Sequence, residues 1–134
     1  MAVGERIGEE TSRTTSRRVV ASPGGPKMEI SVEVTGRLLG AEYKGNVTYN
    51  AMVRPDGVLQ GDGVGILMTK DGETVTWTGY GVGKFTPRGG VSWRGMFFYQ
   101  TASSDLARLN STPAAFEYEI DEKGDGKGNF TEWK

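Results

Sequence analysis

Apolar residues recur at every second position over most of this chain, and short glycine-bearing turns interrupt the pattern. In "MEISVEVTGRLL" the set Met28, Ile30, Val32, Val34, Gly36 and Leu38 lies on one face, with Glu29, Ser31, Glu33, Thr35 and Arg37 on the other. A period of two is that of a strand with one buried face. "YKGNVTYNAMV" repeats it through Tyr43, Gly45, Val47, Tyr49, Ala51 and Val53. A two-residue turn at Gly40-Ala41 would join the two strands, setting Gly36 opposite Gly45, Val34 opposite Val47 and Val32 opposite Tyr49.

The next three connections, "RPDGV", "TKDGE" and "TPRGGV", suit three-residue hairpin loops that end in a glycine at positive φ. This loop type predicts the register. Arg54 then faces Val58. Gly65 faces Trp77, Gly63 faces Gly79 and Gly61 faces Gly81. On the following strand Gly83 faces Trp93, Gly81 faces Gly95, Gly79 faces Phe97 and Trp77 faces Tyr99. All three loops yield one common apolar face, and a slip of one residue at any of them would turn a strand over.

The flanks extend the meander. "TSRRVVAS" and "PGGP" predict a first strand and turn, with Val19 opposite Ile30, preceded by a disordered leader over residues 1–12 and a single domain over 13–134. After "VSWRGMFFYQT", the serines of "ASSDLARLNSTP" predict one helical turn carrying Leu106 and Leu109 inward, stopped by Pro113. "AAFEYEID" and "GNFTEWK" form a last hairpin. The expected fold is all-β: a closed, antiparallel, up-and-down barrel of about eight strands, since closure removes both exposed edges. An open sandwich is the alternative.

Composition narrows the chemistry. The chain has neither cysteine nor histidine, which removes thiol nucleophiles, disulfides, histidine bases and nearly all transition-metal sites. A formal net charge of -1 offers no whole-molecule field for nucleic acid or an anionic membrane. No segment approaches the roughly 18 apolar residues of a membrane helix, and the N-terminus lacks the apolar stretch of a secretory signal, so the expected location is cytoplasmic.

Two motifs mimic ligand sites. "GDGVG" at Gly61–Gly65 and "GYGVG" at Gly79–Gly83 are glycine words of the phosphate-cradle kind. In a dinucleotide fingerprint a third glycine falls three positions after the second and opens a helix; here Ile66 and Lys84 hold those positions, and strands flank both words. Their glycines therefore empty the inner face of two neighbouring strands, leaving space for Trp77 and Trp93 or for a cavity. "DEKGDGKGNFTE" from Asp121 to Glu132 has calcium-loop spacing, but Lys123 occupies the third ligand position and strands replace the helices. No metal or cofactor is expected. Glu117 and Glu119 fall opposite Phe116 and Tyr118, and Arg94 opposite Trp93, so all three should face solvent. The inner face then offers Tyr43, Tyr49, Tyr99 and Tyr118 as its polar groups, without an acid or base for catalysis. On the outer face Val64, Ile66, Met68, Met96 and Phe98 form an apolar surface, which predicts a homo-oligomer.

The run "PGGPKMEISV…RPDG…MTKDGE…TWTGYGVGKF…VSWRG…YQTAS…LARLN…FEYEID…EWK" resembles a family of small uncharacterised bacterial and archaeal proteins. Its strand-loop organisation, with the "LARLN" turn before a phenylalanine-glutamate strand, is similar to the allene-oxide-cyclase-like barrels, a calycin group related in shape to lipocalins. That resemblance implies an eight-stranded, often oligomeric barrel and carries over no catalytic residue. The expected function is binding of a small apolar or aromatic molecule in a pocket lined by Tyr49, Gly63, Gly65, Trp77, Gly79, Trp93, Phe97, Tyr99 and Phe116. The alternatives are a cyclase or isomerase that works by confining its substrate, and a solidly packed barrel with a role in assembly.

Overall fold

The computed structural model describes residues 3–134. Eight strands follow in order: β1 (Val3–Val20), β2 (Lys27–Leu38), β3 (Ala41–Val53), β4 (Leu59–Thr69), β5 (Thr74–Phe85), β6 (Val91–Thr101), β7 (Ala114–Ile120) and β8 (Asp125–Trp133). Each is antiparallel to the next, and β8 pairs with β1 to close the barrel. One 3-10 turn, Ala107–Ser111, lies between β6 and β7 with Leu109 buried; the Leu106 amide just before it donates to the Ser103 hydroxyl. Among the described residues no helix is long and apolar enough to cross a membrane.

The three glycine loops behave as their sequences predict. Gly57, Gly72 and Gly89 have φ of 84°, 82° and 87°, the left-handed region where a side chain is strained. Registers across β4, β5 and β6 match expectation, with Gly65 opposite Trp77, Gly61 opposite Gly81, and Gly79 opposite Phe97. The β2–β3 turn differs. Leu39 and Gly40, with φ of 49° and 82°, form the two-residue loop in place of Gly40-Ala41. Two consecutive positive φ values mark a turn whose twist suits a hairpin. Pairing consequently shifts by two residues, to Val34 opposite Gly45 and Ile30 opposite Tyr49, which keeps the buried face intact.

A larger correction concerns the N-terminus. Residues 3–12, expected to be a disordered leader, belong to β1, and Met1 and Ala2 lie outside the described residues. β1 supplies pairing partners to both β2 and β8, so without its first half the barrel would stay open along one seam. Near its other end Val19 faces Met28, not Ile30. Glu132 secures the seam: its carboxylate accepts from the Glu5 amide at 3.1 Å and from Arg108 at 2.5 Å, tying β8 to β1 and to the 3-10 turn. This residue cannot join Asp125 in a calcium loop, because it stands seven positions farther along the extended β8 strand, roughly 23 Å away.

The two barrel ends differ. At the end carrying the β2–β3 and β4–β5 turns, Leu38, Leu67, Val75, Leu106 and Leu109 are each at most 3% exposed. Interior rings pack toward the middle, with Phe97 stacked on Phe116 at 4.3 Å and tilted against Trp77 at 4.1 Å. Outside, Val64, Ile66, Met68 and Phe98 are exposed, Met96 is half-buried, and Tyr80 and Val82 extend the same surface on β5.

Candidate functional site

The interior is not packed solid. A cavity of about 90 Å³ lies among the rings, reaching toward the end with the β1–β2 and β7–β8 connections through Ser12 and Ile120. Of the residues singled out in the sequence, Tyr49, Gly63, Trp77, Gly79, Trp93, Phe97 and Phe116 line it. Gly65 and Tyr99 do not. Gly65 is covered by the Trp77 indole, since a Cβ there would fall 2.5 Å from Cε2 of that ring. Tyr99 stands nearer the closed end, opposite Trp77 and fully within the core.

The glycine rows account for this geometry. A Cβ on Gly83 would lie 2.9 Å from Trp93 Cε3, one on Gly61 2.8 Å from its far edge, and one on Gly79 2.6 Å from Phe97. Each of these rings thus occupies the space that a side chain on the glycine would need. Rings that settle into glycine positions leave room elsewhere in the barrel.

The acid in this cavity was not foreseen. Glu10, on β1, is buried and lines the cavity, contrary to the expectation of an interior without acid or base. Its neighbours across the ladder on both sides are glycines, Gly36 on β2 and Gly128 on β8. One strand farther on each side stands a tyrosine: Tyr43 opposite Gly36 and Tyr118 opposite Gly128. Each tyrosine reaches over its glycine to the carboxyl. The Tyr43 hydroxyl donates to Oε1 and the Tyr118 hydroxyl to Oε2, both at 2.7 Å. Side chains on the glycines would block this reach, since a Cβ on Gly36 would stand 2.8 Å from Tyr43 Oη and one on Gly128 2.6 Å from Tyr118 Cε2. Tyr99 adds a third buried hydroxyl, which has no hydrogen-bond partner.

Burial raises the Glu10 carboxyl to about 7, and the two tyrosine hydrogen bonds, which favour the anion, offset only part of that effect. The tyrosines shift in turn. Tyr43 and Tyr118 are pushed far up by burial and then by the Glu10 charge, Tyr99 likewise, and Tyr49 is pushed up to about 12 by burial. A carboxyl that exchanges its proton near neutrality in an apolar cavity can act as hydrogen-bond donor, anion or proton carrier. The remaining candidates are placed as expected: Glu117, Glu119 and Arg94 are exposed, and Arg94 pairs with Glu119 at 2.9 Å.

No family model and no curated protein sequence matches the chain. Solved structures do. A protein of unknown function from Clostridium acetobutylicum superimposes with a TM-score of 0.81 at 14% identity, covering 98% of this chain and 97% of that one. A conserved protein of unknown function from Rhodopseudomonas palustris gives 0.80 at 12%, covering 98% and 97%. A beta-barrel like protein from Acinetobacter baumannii gives 0.81 at 14%, covering 99% and 96%. The chain is thus similar in fold to bacterial β-barrel proteins, over its whole length. At such identities the likeness extends to the fold and not to a site.

The proton on Glu10 has a consequence for stability. The carboxyl titrates near 7 in the fold and near 4.5 in the unfolded chain, so between those values the native state binds more protons than the unfolded state. Stability from this group is complete below pH 4.5 and is lost as pH rises through 7, an effect of about 3 kcal/mol. Urea unfolding of the wild type and of Glu10→Gln across this range should show the wild type losing about 3 kcal/mol relative to the variant; parallel profiles would refute the assignment.

Proposed function

We propose that the barrel binds a small apolar or aromatic molecule between Trp77, Trp93, Phe97, Phe116 and Tyr118. The observation that carries this reading is the cavity left at the centre of an otherwise tightly packed core. Protein interiors leave few such voids, because unfilled space forfeits dispersion contacts. At about 90 Å³ it is smaller than the roughly 150 Å³ apolar cavity known to stay dry and accept benzene. An occupant of benzene's size or less is therefore expected, or a larger one of which part remains outside. Kinship with the allene-oxide-cyclase-like barrels is compatible with this reading, supported by the closed eight-stranded topology. Glu10 favours one second reading, a cyclase or isomerase in which confinement is joined by proton transfer from a carboxyl within the cavity.

Benzene and toluene are suitable probes. Titration should change the emission of Trp77 and Trp93 saturably and raise the melting temperature. Val47→Phe, which places a ring into the cavity from β3, should abolish both responses while leaving a folded barrel. Absence of a saturable response in the wild type would contradict the reading.

For the apolar outer face of β4, β5 and β6 the occupant we propose is a second copy of this chain. The face is continuous across three strands, with Val64 in register with Thr78 and Phe98, and Ile66 with Thr76 and Gln100. These paired positions carry no charge that would have to be desolvated. Sedimentation equilibrium should show an oligomer that Ile66→Glu dissociates; a wild-type monomer at high concentration would exclude it.

A further inference from the structure

The cavity wall is chemically one-sided. Its charged residues are Glu10 and Asp62, both acids, and no lysine or arginine lines it. Asp62 is exposed, whereas Glu10 is buried inside. The rest of the wall combines the rings of Tyr49, Trp77, Trp93, Phe97, Phe116 and Tyr118 with aliphatic side chains, Val32, Val34, Val47 and Ile120, and with glycines of β4 and β5. Aromatic faces carry negative quadrupolar potential and attract cations, tryptophan most strongly.

Around Glu10 itself, β2 and β8 contribute glycines, while β3 and β7 contribute Tyr43 and Tyr118, and Tyr99 of β6 feels its charge. None of these can be a cation. Among the described residues no ion pair reaches Glu10, and the carboxylates that do form salt bridges lie at or near the surface or beside Arg108. Arg17, in register with Ile30 beyond the irregularity in β1, is exposed at the rim of the barrel, where its charge is felt at the Tyr49 hydroxyl. Glu10 is thus a buried acid held by two donors, open to a largely aromatic cavity, with no ion pair to it among the described residues. A buried anion without a counter-charge is costly, and a bound cation would remove that cost.

We propose that the ligand of this cavity is a small organic cation, an alkylated ammonium group held by the aromatic faces and neutralised by the Glu10 carboxylate. This rests on the reading of the cavity as a binding site and assigns its ligand a positive charge beside the apolar groups that the rings would hold. The cation meets the rings of Trp93, Trp77 and Tyr118 by its alkyl groups and Glu10 by its charge. Binding selects the anionic form of Glu10, so a cation bound at neutral pH displaces about half a proton on average, and close to one at pH 6. For a permanently charged ligand, affinity rises with pH until Glu10 is fully ionised and is flat above.

The test uses tetramethylammonium and choline, with tert-butanol and 3,3-dimethyl-1-butanol as their uncharged counterparts, titrated calorimetrically at pH 6 and pH 8. Cation affinity should increase about tenfold between the two pH values, as expected for a carboxyl titrating midway, with protons released at pH 6 and little change for the alcohols. Glu10→Gln should abolish the pH dependence and weaken cation binding at pH 8 by tenfold or more without weakening the alcohols. Should that variant not fold, the pH dependence of the wild type with the permanently charged probes decides alone. If the alcohols, benzene or toluene bind and the cations do not, or the cations bind with no pH dependence, the cation proposal is overturned and the cavity stands as a neutral site. If none of the probes binds, the binding reading itself is overturned and the proposal with it.

Discussion

The barrel depends on large rings lying against glycines of neighbouring strands. A sheet of eight strands closed on itself encloses little room, and side chains must fill it without colliding. Here Trp77 lies over Gly65, Trp93 over Gly61 and Gly83, Phe97 over Gly79, Phe116 over Gly81 and Gly95, and Tyr118 over Gly126 and Gly128. The rings also pack on one another, with Phe97 stacked face to face on Phe116 and tilted against Trp77. A glycine in a strand interior weakens that strand on its own account. Packing of the rings offsets this, at about 0.5–1.5 kcal/mol per aromatic pair beyond area burial.

The same device builds the polar centre. Glu10 is flanked by two glycines on adjacent strands, each crossed by a tyrosine from one strand farther away, so the carboxyl receives a hydroxyl from either side of the barrel seam. Two donors cannot fully replace water around a buried carboxylate, and the group keeps its proton to near neutrality as a result. Fold and candidate function meet in this residue. β1 is required to close the barrel, and closing it carries an acid into the cavity.

Most of the architecture was legible in the chain because its turns are explicit. The words "PDG", "KDG" and "PRG" each demand a glycine at positive φ, and with alternation on either side they determine the register of β3 through β6, and hence most of the cavity wall. Where the turn word was ambiguous, at Leu39-Gly40, the register was displaced by two residues without turning the strand over. The first half of β1, expected to be a leader, was illegible for a different reason. Its inward positions are Gly8, Glu10, Ser12 and Thr14, small or polar residues that produce no apolar alternation, and irregular pairing at Arg6 and again near Ser16 interrupts its phase. Hydrophobic periodicity cannot detect a strand whose buried face is built to receive tyrosine hydroxyls. The available signal was topological: β2 and β8 both need a long partner for the barrel to close, and only the first residues remained to supply it.

This barrel holds in its aromatic interior a carboxyl that exchanges its proton near neutrality. Carbon-13 NMR of the Glu10 side-chain carboxyl, followed through a pH titration of the folded protein, reads that proton directly. The structure predicts an inflection near pH 7. An inflection near 4.5, the value of an ordinary solvated glutamate, would show that Glu10 is in water, and the account of the site would be wrong.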